Sequence, residues 1–365
     1  MIYLDYQATT PLAPEAREAM LRWLGGPEGD TFGNPHSPHR MGRMAAAAIE
    51  AAREQVAALF PPGGTVIFTS GATEAINLAI KGTARGGGTN AIAVSAIEHA
   101  AVLDCGHAMR DTTEMLVLPV DGDGLVAADA TIPEDVHLTA VMQVNNEIGT
   151  IQPVDALAAA AHAAGSYFLC DAVQGAGKLA APDNADLIAV SAHKLHGPKG
   201  IGALWVRDGV DLQPQTHGGG QEQGLRSGTL SPALIAGFGA AARLALARRE
   251  EDAAHVDALW RRAREMFDGW TLNGSDTQRW HGNLNLRKDG LDVARLMSEC
   301  RSVMFSAGSA CASGSGRPSH VLRAIGLTDA EAKSSIRLGF GRYTSLEDIE
   351  TAAAAIKAAA QEQGL

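Results

Sequence analysis

Short apolar runs alternate with alanine-rich helical segments between residues 65 and 207, and this alternation constrains the fold more than any other feature of the sequence. Seven runs have the composition of strands: TVIFTS, AIAVS, MLVLPV, LTAVMQV, YFLCDAV, DLIAVSA and GALWV. Most are apolar throughout, which is typical of strands buried on both faces. The alternation predicts an α/β fold, in which a large domain has a mainly parallel seven-stranded sheet flanked by helices. In such sheets the ligand site lies at the carboxyl ends of the strands.

The pattern changes in the last third of the chain. A glycine-rich loop, GGGQEQGLRSGT, is followed by a long helical stretch over roughly 232–268, and then by short strands and helices. This part predicts a smaller α+β C-terminal domain, and 365 residues are enough for two domains. We predict a large domain over residues 15–250 and a small domain that combines residues 1–14 with residues 251–365.

Charge and apolar patterning exclude several classes of protein. A formal net charge of −11 argues against sequence-independent nucleic-acid binding, which needs a basic face. The sequence has no apolar run of the roughly 18 residues that a membrane span needs. Its start, MIYLDYQATTPLAPEA, lacks the basic and apolar regions of a signal peptide. The four cysteines form no CxxC pair, so we expect reduced thiols and a cytoplasmic protein.

The segment TSGATEAIN has the pattern of a phosphate cradle. A predicted strand ends, a turn of small residues follows, and a helix begins near Thr73. The free N–H groups and the dipole at the start of a helix favour anions, phosphate among them. The alternative interpretation of the same residues is an ordinary helix cap.

Two charged residues follow neighbouring strands of the predicted sheet. Asp171 ends one apolar run and Lys194 follows the next, 23 residues later. A buried acid is costly unless a cation meets it, and a protonated pyridine nitrogen would be such a cation. Taken alone, the acid could cap a turn and the lysine could be solvated. The run HKLH has no acid or cysteine at metal-ligand spacing, so we expect no metal site there. Together with the phosphate cradle, the acid and the lysine predict a pocket for pyridoxal 5'-phosphate.

The chain resembles the cysteine desulfurases, a class-V aminotransferase-like group within the fold-type I pyridoxal phosphate enzymes. The resemblance runs from YLDYQATTP to SSIRLGFGRYT and so covers nearly the whole chain. Between these ends, SGATEAIN, EHAAV, VNNEIGT, SAHKLHGPKGIGALWVR, HGGGQEQGLRSGT and SAGSACAS match the family pattern in order. One such match would be weak evidence, but six in consistent order are specific.

The resemblance implies a role for each matching residue. Lys194 would be the Schiff-base lysine, and His99 would stack on the cofactor ring and transfer protons. Asp171 would pair with the pyridine nitrogen, Gln174 would bond the ring hydroxyl, and Arg337 would bind the substrate carboxylate. Asn146 would contact the ring or the substrate, and Thr229 would contact the phosphate in the partner subunit. Four residues would bind the phosphate in their own subunit: Ala72, Thr73, Ser191 and His193.

Cys311 lies in FSAGSACASGSGRPSH, a run of small residues that predicts a loop. The resemblance implies that its thiolate takes the sulfur of L-cysteine as a persulfide and that L-alanine leaves. It further implies a homodimer and a sulfur-acceptor protein, either an iron–sulfur scaffold or a sulfur carrier for tRNA thiolation. His320 stands where relatives often have an aromatic residue, which leaves the choice of acceptor open. We expect Cys105, Cys170 and Cys300 to pack as small apolar residues.

Three alternatives remain open at this stage. A selenocysteine lyase or a class-V aminotransferase would share the cofactor pocket, although an aminotransferase would not need Cys311. A catalytically silent, cofactor-binding partner of a sulfur-transfer complex is the third alternative. Such a protein should have lost Lys194 or Cys311, and this chain has both.

Overall fold

The computed structural model describes residues 1–84, 90–308 and 318–365. Its strands are β1 (Ile2–Tyr3), β2 (Gly64–Thr69), β3 (Asn90–Ser95), β4 (Thr113–Leu118), β5 (Val136–Ala140), β6 (Tyr167–Asp171), β7 (Leu187–Ser191), β8 (Gly202–Arg207), β9 (Thr271–Leu272), β10 (Asn283–Arg287), β11 (Val303–Met304), β12 (Ser306–Ala307) and β13 (Ser335–Gly339). Its α-helices are α1 (Pro14–Leu21), α2 (Arg40–Ala57), α3 (Ala72–Gly82), α4 (Ala100–Ala108), α5 (Val154–Ala163), α6 (Pro232–Ala247), α7 (Arg249–Met266), α8 (Val293–Glu299), α9 (His320–Ala324), α10 (Asp329–Lys333) and α11 (Leu346–Gln361).

The seven apolar runs form one sheet, in the order β2-β8-β7-β6-β5-β3-β4. The strands from β7 to β4 are parallel to their neighbours, and β8 is antiparallel to both β2 and β7. The predicted mainly parallel sheet is therefore confirmed, with one reversed strand. Because β2 has the same direction as β6 and β7, the carboxyl ends of all three lie at one edge.

Helices cover both faces of this sheet. On one face, Ile76 and Ile80 of α3 pack in a cluster with residues of α4 and the sheet. On the other face, Phe68 and Phe168 of the sheet pack in a cluster with Phe238 of α6. The alternation of strand and helix in the sequence is thus a three-layer arrangement in which the sheet is buried on both faces.

The C-terminal part has its own antiparallel sheet, in the order β12-β13-β10-β9, and its own core around residues such as Phe267, Leu286 and Phe340. At the other end of the chain, β1 pairs with β11, and Asp5 forms a bridge with Gly339.

The long helix expected over 232–268 is two helices. The backbone of Arg248 leaves the helical region (φ −109°, ψ 6°) after α6, and α7 begins at the next residue, Arg249. Among the described residues, no helix is both long and apolar enough to cross a membrane.

Candidate active site

A cavity of about 620 Å³ lies at the carboxyl ends of β2, β6 and β7. Parallel strands end at one edge of the sheet, so residues far apart in the sequence meet there. The cavity is lined by ten of the residues expected from the sequence: Ala72, Thr73, His99, Asn146, Asp171, Gln174, Ser191, His193, Lys194 and Arg337.

One end of the cavity lies where β2 passes into α3, in the segment expected from the sequence to hold the phosphate. Gly71 caps this helix without a side-chain hydrogen bond, so the cap leaves N–H groups of the first turn to other acceptors. The start of β8 packs tightly here, because a Cβ atom on Gly202 would lie 2.5 Å from the Val190 carbonyl oxygen and 2.8 Å from the Cα of Gly71. Glu74 accepts from the Ser70 N–H (2.6 Å) and pairs with Arg226 (2.7 Å). Burial opposes its ionisation, but these two partners lower the pKa of Glu74.

Lys194 ends a short 3-10 turn that follows β7. Its Nζ donates to the backbone carbonyls of Gln7 and Ala8, at 2.9 Å in the second case. The same N-terminal segment is fixed from the other side, because the Thr10 N–H donates to the His193 carbonyl (2.9 Å). Residues 7–9 therefore form a wall of the cavity. This segment belongs to the motif YLDYQATTP, for which the sequence predicts no role.

Asp171 ends β6 and is 5% exposed. Its Oδ1 accepts from the Val173 N–H (3.0 Å), and within the described part of the chain it forms no salt bridge. Burial raises the pKa of this carboxyl group, while His99 and Lys194 act in the opposite direction. A cation placed against Asp171 would stabilise the carboxylate further.

His99 is the N-cap residue of α4. Its Nδ1 accepts from the Ala101 N–H (3.1 Å), so a neutral ring carries its proton on Nε2. Burial lowers the pKa of His99, although the charge of Asp171 acts in the opposite direction. The lowered pKa favours the neutral form of the ring. Helix capping, the ordinary reading of this histidine, therefore coexists with a place in the cavity wall.

The side chain of Gln174 offers an unused acceptor. Its Nε2 donates to the Gln7 carbonyl (3.0 Å), while its buried Oε1 has no hydrogen-bond partner among the described residues. A buried amide oxygen without a donor is costly, and the hydroxyl of a bound ring would satisfy it. With the helix start, Asp171 and Lys194, this orphaned oxygen shows that the cavity fits pyridoxal phosphate.

Arg337 lies on β13 and is fully buried. Its Nη2 donates to Asp5 (2.7 Å) and its Nη1 to the Asn146 carbonyl (3.1 Å), while Nε has no partner among the described residues. Ser306 also contacts this pair, since its hydroxyl donates to Asp5 (2.9 Å). Asp5 and Ser306 were not predicted from the sequence.

Glu98, the residue before His99, is a further buried acid that the sequence analysis did not single out. It is fully buried, and its Oε1 accepts from the Ser95 hydroxyl (2.6 Å) and the Met142 N–H (2.8 Å). Burial, with a contribution from Asp171, raises the pKa of Glu98 to about 8. The carboxyl group is therefore protonated at neutral pH and ties together the ends of β3 and β5.

Two predicted residues lie outside this cavity. Thr229 is exposed on the glycine-rich loop and does not line the cavity of its own chain. Cys311 lies outside the described residues. The other three cysteines are buried, as expected, and burial raises the pKa of each thiol. The described residues contain no group of metal-ligating side chains.

Comparisons with known proteins agree with this geometry. The family model for aminotransferase class-V matches residues 2–351. The chain is 42% identical to the cysteine desulfurase IscS of Rickettsia akari (strain Hartford) over 368 aligned residues. The alignment covers 96% of this chain and 89% of that protein. The chain is also 42% identical to a mitochondrial cysteine desulfurase of Arthroderma benhamiae, over 98% of this chain and 74% of the relative. Among solved structures, a NifS-like protein superposes with a TM-score of 0.90 at 30% identity, covering 100% of both chains.

Proposed function

The chain belongs to the aminotransferase class-V family and is a cysteine desulfurase, and we propose that it transfers the sulfur of L-cysteine to the thiol of Cys311. The Cβ–S bond of the substrate breaks and an S–S bond forms on Cys311. The two thiol protons of the reactants end on the Cβ of L-alanine and on the persulfide, so no external oxidant or reductant is needed.

One observation supports this proposal above the others. Lys194, Asp171 and Arg337 line one cavity, although they come from three separate parts of the chain. A base, a partner for a ring cation and a partner for a carboxylate are what an enzyme acting on the Cα of an amino acid requires.

The residues that would hold pyridoxal phosphate form three groups, each of which would contact a different part of the cofactor. The start of α3 with Ser191 and His193 suits the phosphate, Asp171 suits the pyridine nitrogen, and Gln174 suits the ring hydroxyl. When bound, the cofactor supplies an aldehyde that condenses with amino groups and a ring that withdraws electrons from the attached carbon atoms.

Proton transfer at the substrate falls to Lys194 and His99. Lys194 carries an amine on a short turn fixed by Gln7 and Ala8, and a fixed amine can take and return the proton at the substrate Cα. His99 has Nδ1 bonded to the backbone, so Nε2 is the nitrogen that carries an exchangeable proton.

Arg337 would fix the substrate by its α-carboxylate. Asp5, the Asn146 carbonyl and, at 3.4 Å, the Ser306 hydroxyl use three of its five N–H donors, and the unpartnered Nε is one of those that remain. The donors that remain can form charge-assisted hydrogen bonds to a carboxylate.

The partners follow from the same proposal. A persulfide on Cys311 passes its sulfur to an acceptor protein, such as an iron–sulfur scaffold or a sulfur carrier for tRNA thiolation, and the cytoplasm is the expected location.

A homodimer would place the exposed Thr229 at the other subunit's phosphate. The test mixes Lys194→Ala and Thr229→Val chains. Because one cavity of each mixed dimer would hold both native residues, activity should exceed that of either variant alone, and no gain would contradict the shared site.

Product analysis tests the reaction. The wild-type chain with L-cysteine should yield alanine and, with a thiol reductant, an equal amount of sulfide. Cys311→Ser should retain the visible absorbance of the bound cofactor and its change on cysteine binding, yet form no persulfide. Full activity of Cys311→Ser would contradict the role of Cys311. Exchange with a keto acid would identify an aminotransferase, and turnover confined to L-selenocysteine would identify a selenocysteine lyase.

A further inference from the structure

Lys199 lines the cavity at its phosphate-binding end, although the sequence analysis gave it no role. We propose that Lys199 supplies the cationic contact to the phosphate of the cofactor. This inference rests on the proposed function, because it concerns the same cavity and assumes that pyridoxal phosphate binds there.

The backbone around Lys199 places it beside the helix start. Gly202, three residues later, stands in register with both Thr69 at the end of β2 and Ser191 at the end of β7. Lys199 and Gly200 therefore lead directly into the point where these two strands end. Both residues line the same cavity as Ser70 and Gly71.

The electrostatic neighbours of the two cavity lysines separate them. The charge of Lys194 acts on His99 and Asp171, the residues assigned to the cofactor ring. The charges of both lysines act on His193, which is assigned to the phosphate, and Lys194 has the larger effect. Lys194 is therefore within reach of both ends of the cavity, whereas the effect of Lys199 falls on the phosphate end.

The phosphate end needs a cation that its other residues do not provide. A phosphate ester carries about −1.5 to −2 charges at neutral pH, whereas a helix N-terminus supplies only about +0.5. Burial, with the charges of Lys194 and Lys199, lowers the pKa of His193 to about 4, so this imidazole is neutral. Arg226 is close to the same helix, but its charge is paired with Glu74 at 2.7 Å. Within the described part of the chain Lys199 forms no salt bridge, so its charge at this end is left for a ligand.

The test compares two aldehydes that differ only in the phosphate. The apo form of the full chain is titrated with pyridoxal 5'-phosphate and with pyridoxal, and binding is followed by the visible absorbance and by tryptophan fluorescence. Lys199→Gln should weaken binding of pyridoxal phosphate about five- to ten-fold and leave pyridoxal unchanged. Lys199→Arg should restore most of the affinity. Lys333→Gln, which removes an exposed lysine on α10, is the control with the same change in charge.

Each outcome decides the proposal. A selective loss for pyridoxal phosphate that shrinks at high ionic strength supports it, because an exposed charge is screened by salt. Equal losses for both aldehydes would mean that Lys199 maintains the fold of the loop, and wild-type affinity would mean that the lysine is solvated. Either result overturns the inference without touching the proposed reaction. If the wild-type chain binds neither aldehyde, the proposed function itself fails.

Discussion

Replacing Asp5 by alanine should destabilise Arg337, the arginine proposed to bind the substrate. Arg337 is fully buried, and its shortest ion pair is the 2.7 Å contact from Nη2 to Asp5. Without the carboxylate, the guanidinium keeps the Asn146 carbonyl and a long contact to Ser306 (3.4 Å). Neither of these is charged, so a buried positive charge would lack compensation.

The magnitude follows from the burial of the pair. Removing one partner of a buried ion pair costs about 3–5 kcal/mol. Because the Asp5 side chain is 20% exposed, water can reach the site, and we expect a loss of about 3 kcal/mol in the free energy of unfolding. Asp5→Asn keeps an oxygen acceptor for the guanidinium and should lose less. The matched control is Asp289→Ala, since Asp289 pairs with Arg287 at 2.9 Å but is 73% exposed. It should cost less than about 1 kcal/mol.

Urea unfolding of the cofactor-loaded variants measures the stability, and steady-state kinetics measures the effect on the substrate. The KM for L-cysteine should rise about ten-fold in Asp5→Ala, since the guanidinium is no longer held in one orientation, whereas kcat should change less. Equal losses of stability in Asp5→Ala and Asp289→Ala would refute the reasoning. A fall in KM would refute it too, because Asp5 would then compete with the substrate carboxylate.

Two further changes test residues that pack around the cavity. Glu98 should contribute stability that is complete below about pH 4.5, its ordinary pKa, and that is lost as the pH rises through about 8. Urea unfolding between about pH 5 and 9 should therefore show Glu98→Gln gaining stability relative to the wild type as the pH rises, and a constant difference would contradict a buried neutral acid. Gly202→Ala should lower the affinity for pyridoxal phosphate and cost about 1–3 kcal/mol of stability, because the new Cβ would lie 2.8 Å from Gly71. Gly26→Ala, where a Cβ meets nothing within 4 Å, is its control, and equal behaviour of the two variants would argue against a tight cradle.

Local patterns in the sequence were sufficient for the sheet and for much of the cavity. Each strand is a short apolar run, and Asp171, Ser191 and Lys194 lie at or just after strand ends, where a parallel sheet collects ligand-binding residues. The reversal of β8 could not be predicted in this way, since a strand has the same composition in either direction. The break at Arg248 was missed because alanine-rich helical periodicity continues across it.

The contacts made by distant parts of the chain were also missed. Gln7 and Lys194 are 187 residues apart, and no periodicity relates them. Glu98 was overlooked because an acid beside a histidine looks like a solvated residue in sequence. The pKa of Glu98 is raised because the side chain is completely buried, and this burial arises from the packing of β3 against β5. The roles assigned to the site residues, Thr229 and Cys311 among them, remain predictions from the resemblance.

The pairing of Asp5 with Arg337 has a consequence for biosynthesis. The two residues are 332 positions apart, so a ribosome adding about 5–20 residues per second makes the second one tens of seconds after the first. The strands from β2 to β8 can assemble during this interval, but the substrate pocket cannot. The nascent chain can therefore carry a complete seven-stranded sheet with an open cavity edge, and only the late synthesis of Arg337 on β13 gives it the ability to bind an amino acid.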